Sequence, residues 1–307
     1  MDLAPSKIDI GKLAYEWQEV QGNFADKHAF LADKLSGFTQ QEADTVVPKD
    51  VVLYGFGRIG RLAARELIKN TGKGQQLRLR AIVTRSNTDH DIIKRASLLR
   101  TDSVHGPFLG TIIEDLENKA LVINGQIVHM IQANNPDTVD YKSFGINNAL
   151  VIDNTGVFRD KEALGLHLKS NGVGNVLLTA PGKEMPNVVY GVNHLDLDVE
   201  NDTLVSAASC TTNAIVPVLK VINDHLDIQK GHIETIHAYT NDQNLLDNMH
   251  KKSRRGRSAA INMVITETGA GKAVTKVIPE LSDKLTANAV RVPTPNGSLA
   301  IMNLTIG

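Results

Sequence analysis

A chain of 307 residues has room for about two domains of ordinary size. A hydrophobic fraction of 42% is enough for ordinary cores, and a net charge of −1 argues against a global basic field for nucleic acid or an anionic membrane. One cysteine excludes an internal disulfide framework and any multi-cysteine metal site, and no apolar run approaches the roughly 20 residues of a membrane span.

The N-terminus, MDLAPSKIDIGK, lacks a basic region followed by an apolar stretch, so no signal peptide is visible and a cytoplasmic location is expected. Residues 1–48 stand apart from the rest of the chain. Leu13, Trp17 and Val20, then Phe30, Leu31 and Leu35, recur at helical spacing among charged neighbours. Two short amphipathic helices are predicted, separated near Gly22 and ended near Gly37. Their apolar faces need a partner surface, on this chain or on another subunit. No recognisable chemistry falls within them.

A new unit begins at Pro48. Val51-Val52-Leu53-Tyr54 is a buried-strand run, Gly55-Phe56-Gly57-Arg58-Ile59-Gly60 follows, and Leu62, Ala63, Glu66 and Leu67 continue at helical spacing. A G-x-G-x-x-G set alone is weak. Between a strand and a helix each glycine gains a role: a tight turn, close approach of backbone to a pyrophosphate, and close helix–strand packing. The pyrophosphate would rest on the helix N-terminus. The competing reading is a glycine-rich turn with no ligand. The next strand, 79–83, should end beside an adenosine ribose, where Asp or Glu would accept from the ribose hydroxyls. Thr84-Arg85-Ser86-Asn87 stands there instead. No carboxylate repels a 2′-phosphate, and Arg85 with two hydroxyls suits one, unless Arg85 simply faces solvent.

Residues 90–99 read as helix, and 110–113 and 120–130 as strands around the hairpin signal Asn124-Gly125. A buried strand at 150–153 leads to Asn154-Thr155-Gly156. A helix at 162–168 and a strand at 176–179, ending in Ala180-Pro181-Gly182, come next. Strands alternating with helices predict a parallel sheet covered on both faces.

Ser209-Cys210-Thr211-Thr212-Asn213 carries the lone cysteine, with an apolar run at 214–219 behind it. The pattern reads as a strand or loop arriving at a helix N-terminus capped by Thr211 or Thr212. There, partial positive charge favours thiolate, and free N–H groups can hold an oxyanion. A buried, inert cysteine is the alternative, and the polar neighbours argue against it. Beyond lie a strand at 233–238 containing His237 and a long charged loop at 241–258. Its run Lys251-Lys252-Ser253-Arg254-Arg255-Gly256-Arg257 lacks the interleaved aromatics of a nucleic-acid surface, so a solvated face is favoured over an RNA site. Thr268-Gly269-Ala270-Gly271-Lys272 opens another helix, and 288–292 and 299–306 are strands of a separate core.

These segments together resemble phosphorylating glyceraldehyde-3-phosphate dehydrogenases. The likeness is carried, in order, by Gly55-Phe56-Gly57-Arg58-Ile59-Gly60-Arg61, Asp102-Ser103-x-His105-Gly106, Ser209-Cys210-Thr211-Thr212-Asn213, Thr235-x-His237-Ala238-Tyr239-Thr240-Asn241-Asp242-Gln243, Arg254-Arg255-Gly256-Arg257 and Arg291-Val292-Pro293-Thr294-Pro295-Asn296. It runs from about residue 49 to the end. Beyond the helical extension at 1–48, which is not part of that family's usual fold, the resemblance implies an α/β protein: a Rossmann dinucleotide-binding domain at 49–208 and an α+β catalytic domain at 209–307, incomplete here. A homotetramer is implied for the full-length form, with no nucleic acid and no membrane among its partners.

The resemblance also implies the roles. Cys210 is the nucleophile and His237 the general base, converting glyceraldehyde 3-phosphate through a hemithioacetal and a thioester that inorganic phosphate cleaves. Thr240 and Arg291 serve the substrate phosphate, and Ser209, Thr211, Thr268 and Gly269 the attacking phosphate. Gly55, Gly57, Arg58, Ile59, Gly60, Thr84, Arg85, Thr155, Gly156 and Thr179 would hold NAD or NADP, with NADP use at least comparable.

Departures accompany the likeness. Tyr54 stands where Asn usually precedes the glycine motif, and Ala214 where a second cysteine is common. Asn248-Met249 replaces a Leu-Pro pair usual in NAD-preferring members. The chain is also expected to be incomplete as an enzyme, since the family continues beyond the strand at 299–306. Rival readings are an erythrose-4-phosphate dehydrogenase and an inactive cofactor-binding fragment.

Overall fold

A computed structural model describes residues 8–36, 47–71, 76–266 and 268–307. By its internal contacts the chain divides into two units. One comprises Met1–Thr101, Pro107–Thr155 and Leu166–Asn175; the other comprises Asp102–Gly106, Gly156–Gly165 and Val176–Gly307.

Two capped helices open the first unit. In α1 (Ile10–Val20) the Asp9 carboxylate accepts from the Lys12 N–H at 2.9 Å, and in α2 (Lys27–Lys34) Asp26 accepts from the Ala29 N–H at 2.7 Å. Each bond satisfies one of the orphan donors at a helix start. Trp17 and Phe24 lie with ring centroids 5.4 Å from Phe30, which is buried, and Lys34 pairs with Glu16 at 3.4 Å. The expected break near Gly22 is a 3₁₀ turn, Gln21–Asn23. The expected end near Gly37 lies outside the described residues.

The strand and helix alternation then begins. β1 (Lys49–Tyr54) leads to α3 (Arg58–Lys69), and β2 (Leu77–Thr84) to α4 (Asp89–Arg100). A two-residue pair, β3 (Thr101–Asp102) with β4 (Gly106–Pro107), precedes β5 (Ile112–Asp115), β6 (Ala120–Ile123) and β7 (Gln126–Gln132). β8 (Ala149–Asp153), α5 (Lys161–Gly165) and β9 (Val173–Leu178) follow. The strand order is β9-β8-β1-β2-β7-β6-β5. β1 is parallel to β2 and β8, and β2 to β7. Val51, Val52 and Leu53 are fully buried, as an apolar run covered on both faces requires. The sheet is mixed and not wholly parallel, because Asn124 (φ +48°) and Gly125 (φ +82°) turn β6 back as an antiparallel hairpin with β7.

In the second unit Val176–Leu178 pairs in parallel with β10 (Leu204–Ser206). α6 (Cys210–Leu226), β11 (Ile228–Ala238), β12 (Val264–Thr266), α7 (Ala270–Val277), β13 (Leu285–Val292) and β14 (Leu299–Ile306) complete it. Its sheet runs β12-β13-β11-β14, with β11 parallel to β13 and antiparallel to β14. Ile215, Val216 and Leu219 of α6 share one core with Ile233, Val274 and Leu281. β10 and β12 went unpredicted, because three-residue strands such as Leu-Val-Ser and Val-Ile-Thr are too short to show a period.

Candidate functional site

In the second unit, the two-residue strand period places Thr235 and His237 of β11 on one face, opposite Ala289 and Arg291 of β13. α6 begins at Cys210, so the thiol stands on its first residue. The cap is Ser209 and not Thr211 or Thr212. Its backbone is extended (φ −97°, ψ 159°), and its Oγ accepts from the Thr212 N–H at 3.0 Å. Clustered hydroxyls make the cap ambiguous in sequence, and backbone conformation decides it. Thr212 is buried, with Oγ1 2.7 Å from Ser209 Oγ.

Cys210 is exposed, which removes the reading of it as a buried, inert side chain. Its Sγ lies 3.5 Å from His237 Nε2. That hydrogen bond, with the His237 charge and Thr211 adding to it and burial opposing, brings the thiol down from its ordinary value to about 7. His237 Nδ1 lies 2.6 Å from the Ala238 carbonyl oxygen and 3.1 Å from Arg291 Nη1, and these contacts hold the ring in place. Nε2 is the ring nitrogen that faces the sulfur. Arg291 Nη1 donates to the Ala238 carbonyl at 3.1 Å and to Thr240 Oγ1 at 3.3 Å.

A cavity of about 450 Å³ opens over these groups. Ser209, Cys210, Thr211, His237, Thr268, Gly269 and Arg291 all line it. Thr240 reaches the group through Arg291. Burial, and after it the neighbouring Arg255 charge, press the Arg291 guanidinium below its ordinary value. Cationic, hydroxyl and backbone N–H donors around a thiol suit an anionic substrate with an electrophilic carbon.

The arginines of the basic run have internal partners. Arg255 pairs with Asp242, Arg257 donates to Asp247 at 2.6 Å, and Arg254 donates to the Ile265 carbonyl at 3.3 Å.

In the first unit Gly55 has the expected role in a tight turn and Gly60 that in close helix packing. Gly55 has φ +92°, and a β-carbon there would lie 2.9 Å from the Thr155 methyl. A β-carbon on Gly60 would meet the Gly55 carbonyl oxygen at 2.3 Å, so α3 passes directly over the loop. Gly57, at the N-cap of α3, has open space where a side chain would stand. This cradle at a helix N-terminus fits a dinucleotide pyrophosphate. Arg58 begins α3, and Ile59 is 52% exposed beside it. Gly60→Ala is expected to lower stability by about 1–3 kcal/mol, because backbone atoms cannot move aside as a flexible side chain can. Thermal melting checks it, and an unchanged midpoint contradicts the close approach.

The hydroxyls of Thr84 and Ser86 are less available than the sequence implies. Thr84 is buried and its Oγ1 donates to the Ser86 carbonyl at 2.8 Å. Ser86 Oγ donates to the Asp91 carboxylate, which also accepts from Thr88 Oγ1 at 2.6 Å. These bonds, Ser86 first, hold Asp91 below the usual carboxylate range. Arg85 is exposed.

Sequence reasoning also missed the support beneath the loop. Asp153 is wholly buried; its Oδ1 accepts from the Thr155 N–H at 2.8 Å and from Thr155 Oγ1 at 2.7 Å, and its Oδ2 lies 2.9 Å from His167 Nε2. Tyr54 meets the His167 ring edge-on at 4.6 Å. Burial, reinforced by the Asp153 charge, pushes the Tyr54 phenol up to about 12. An Asp at a strand's end was the only visible signal. Gly156 takes φ +67°, and Thr179 follows β9 half-buried. Among the described residues no cluster of three or more His, Cys, Asp or Glu could hold a metal, and no helix is long and apolar enough to cross a membrane.

Residues 49–161 match the profile described as glyceraldehyde 3-phosphate dehydrogenase, NAD binding domain. Residues 209–306 match the profile described as glyceraldehyde 3-phosphate dehydrogenase, C-terminal domain. A glyceraldehyde-3-phosphate dehydrogenase-like protein of Pseudomonas aeruginosa is 54% identical over 308 residues, covering 100% of this chain and 66% of its own length. The glyceraldehyde-3-phosphate dehydrogenase of Clostridium pasteurianum is 41% identical over 252 residues, covering 81% of this chain and 71% of its own length. That of Streptococcus pyogenes is 40% identical over 259 residues, covering 83% and 73%. The chain thus spans 66% to 73% of the length of these relatives.

Proposed function

The chain belongs to the glyceraldehyde-3-phosphate dehydrogenase family, and we propose that it serves the phosphorylating oxidation of glyceraldehyde 3-phosphate. The observation that carries this reading is the Cys210 thiol, on the first residue of a helix, 3.5 Å from His237 Nε2 and in one cavity with Arg291. His237 Nε2 takes the thiol proton, the thiolate attacks the aldehyde carbon, and the oxygen on which charge develops receives that proton back from His237 to give the hemithioacetal. His237 Nε2 takes the hemithioacetal hydroxyl proton as the carbon gives up its hydride and becomes a thioester. NAD or NADP, held by Gly55, Gly57, Arg58, Ile59, Gly60 and the turns at Thr155, Gly156 and Thr179, supplies the hydride acceptor when bound. Inorganic phosphate then displaces Cys210 and leaves as an acyl phosphate.

Arg291 with Thr240 binds the substrate phosphate, and Ser209, Thr211, Thr268 and Gly269 bind the attacking one. A guanidinium and several hydroxyls around one cavity support two anion subsites. Steady-state turnover with each dinucleotide, with and without phosphate, tests the reading. Acyl phosphate formation should require phosphate. Oxidation to a free acid at an unchanged rate without it overturns the phosphorylating step. Erythrose 4-phosphate is the rival substrate, and Tyr239-Thr240-Asn241-Asp242-Gln243 favours glyceraldehyde 3-phosphate.

NADP use at least comparable to NAD is part of the proposal. It rests on Arg85, since Thr84 and Ser86 already donate their protons elsewhere. Arg85→Ala should weaken NADP use roughly tenfold against NAD, the loss of about one charge-assisted contact. Kinetics with both cofactors reads the ratio, and an unchanged ratio removes Arg85 from cofactor choice. A cytoplasmic location, and a homotetramer for the full-length form, belong to the same proposal, and light scattering tests the assembly.

A further inference from the structure

Behind the cavity wall, Ser206 ends β10 with 0% exposure, and the proposed chemistry does not use it. Its hydroxyl joins two stretches of chain. On one side Oγ donates to the Ala180 carbonyl at 2.7 Å and accepts from the Gly182 N–H at 3.0 Å; on the other it accepts from the Ala208 N–H at 3.0 Å. Asn187 Oδ1, 3.0 Å from the same hydroxyl, shares the Gly182 N–H at 3.1 Å. Pro181 and Ala208, one from each stretch, line the cavity of Cys210.

Ala208 is the strained member of this arrangement. Its φ is +57°, a left-handed conformation that is strained for a residue with a β-carbon. Such a conformation persists only where the surroundings over-determine it. Ser206 takes the hydrogen bond from this residue's own N–H, two positions before Cys210. On the other stretch a β-carbon at Gly182 would lie 2.9 Å from Ser206 Cβ, so that stretch is pressed against the same side chain. A sulfur–nitrogen contact of 3.5 Å does not survive a shift of about 1 Å, since hydrogen bonds weaken steeply with distance and angle.

We infer that Ser206 is a positioning residue for Cys210: its buried hydroxyl fixes the left-handed backbone at Ala208 and so aims the start of α6, with its thiol, at His237. Its catalytic consequence rests on Cys210 being the nucleophile, whereas the placement of the thiol does not.

The test uses the full chain and its one thiol. The rate of alkylation by iodoacetamide, followed against pH, gives the thiol midpoint without any turnover. In Ser206→Ala the midpoint should rise from about 7 and neutral-pH alkylation should slow roughly tenfold, with circular dichroism still folded. An unmoved midpoint beside a lowered melting temperature means the hydroxyl is merely structural and overturns the inference. Asn187→Ala loses the shared hold on Gly182 but not the bond to Ala208, so its midpoint should stay near 7; an equal rise assigns the effect elsewhere and also overturns it. Should Ser206→Ala not fold, Ser206→Thr and Ser206→Val make the same comparison with overpacking common to both. Threonine should keep the lower midpoint, and identical midpoints sink the idea. Failure of the proposed oxidation leaves this titration unaffected, so the two readings fail separately.

Discussion

Cys210→Ser is expected to reduce aldehyde oxidation by roughly three orders of magnitude or more while dinucleotide affinity stays within about twofold. At neutral pH a thiol with a midpoint of about 7 is about half ionised, whereas a serine hydroxyl in the same place is not ionised at all. Sulfur is also the better leaving group when phosphate cleaves the acyl intermediate. The change should spare the fold, because Cys210 is exposed on the first residue of α6 and Ser209 keeps the cap. The dinucleotide residues proposed in the first unit are untouched, so fluorescence titration of cofactor should look unchanged. As the chain has one cysteine, iodoacetamide stoichiometry reports on this residue alone. Turnover persisting after complete labelling would remove Cys210 from the reaction.

How much of the fold and the site is readable in the sequence depends on how local the cause is. Two glycines of the loop are legible, because each answers a short-range demand: the turn at Gly55 and the helix crossing at Gly60. The approach of Cys210 to His237 is not legible from residue types. It depends on α6 lying over β11, an arrangement fixed by a core that gathers Ile215, Ile233, Val274 and Leu281 from four separate elements; the family resemblance supplies the pairing instead. Buried polar links are invisible. Nothing in sequence marks Ser206 as the acceptor for Ala208, or Asp153 as the partner of His167, since both pairings depend on how the chain returns on itself. Around Thr84 the residue types are plain but their hydrogen bonds are not. A hydroxyl is equally able to serve a ligand or a neighbouring carbonyl, and only the loop geometry chooses.

His237→Asn should separate two roles that the single ring combines. The hydrogen bond from His237 is the largest cause holding the thiol down, and burial opposes it. Without the ring the midpoint must rise from about 7 towards or beyond the ordinary cysteine value of about 8.5. Thiolate is the deprotonated form, so its fraction grows as pH rises through the midpoint, and a raised midpoint moves the acid limb of the rate profile to higher pH. Alkylation of Cys210 should therefore be slow at neutral pH and recover fully in alkaline buffer. Turnover should not recover fully, because asparagine cannot accept the hemithioacetal proton at any pH. The expected fall is about a hundredfold or more near neutrality, shrinking in alkali to the part due to the missing base. The strand should tolerate the change, since the β11–β13 register holds the position. An unmoved acid limb means that His237 does not set the thiol. Complete recovery of turnover in alkali means that it sets the thiol but carries no proton, leaving the hemithioacetal hydroxyl to another acceptor.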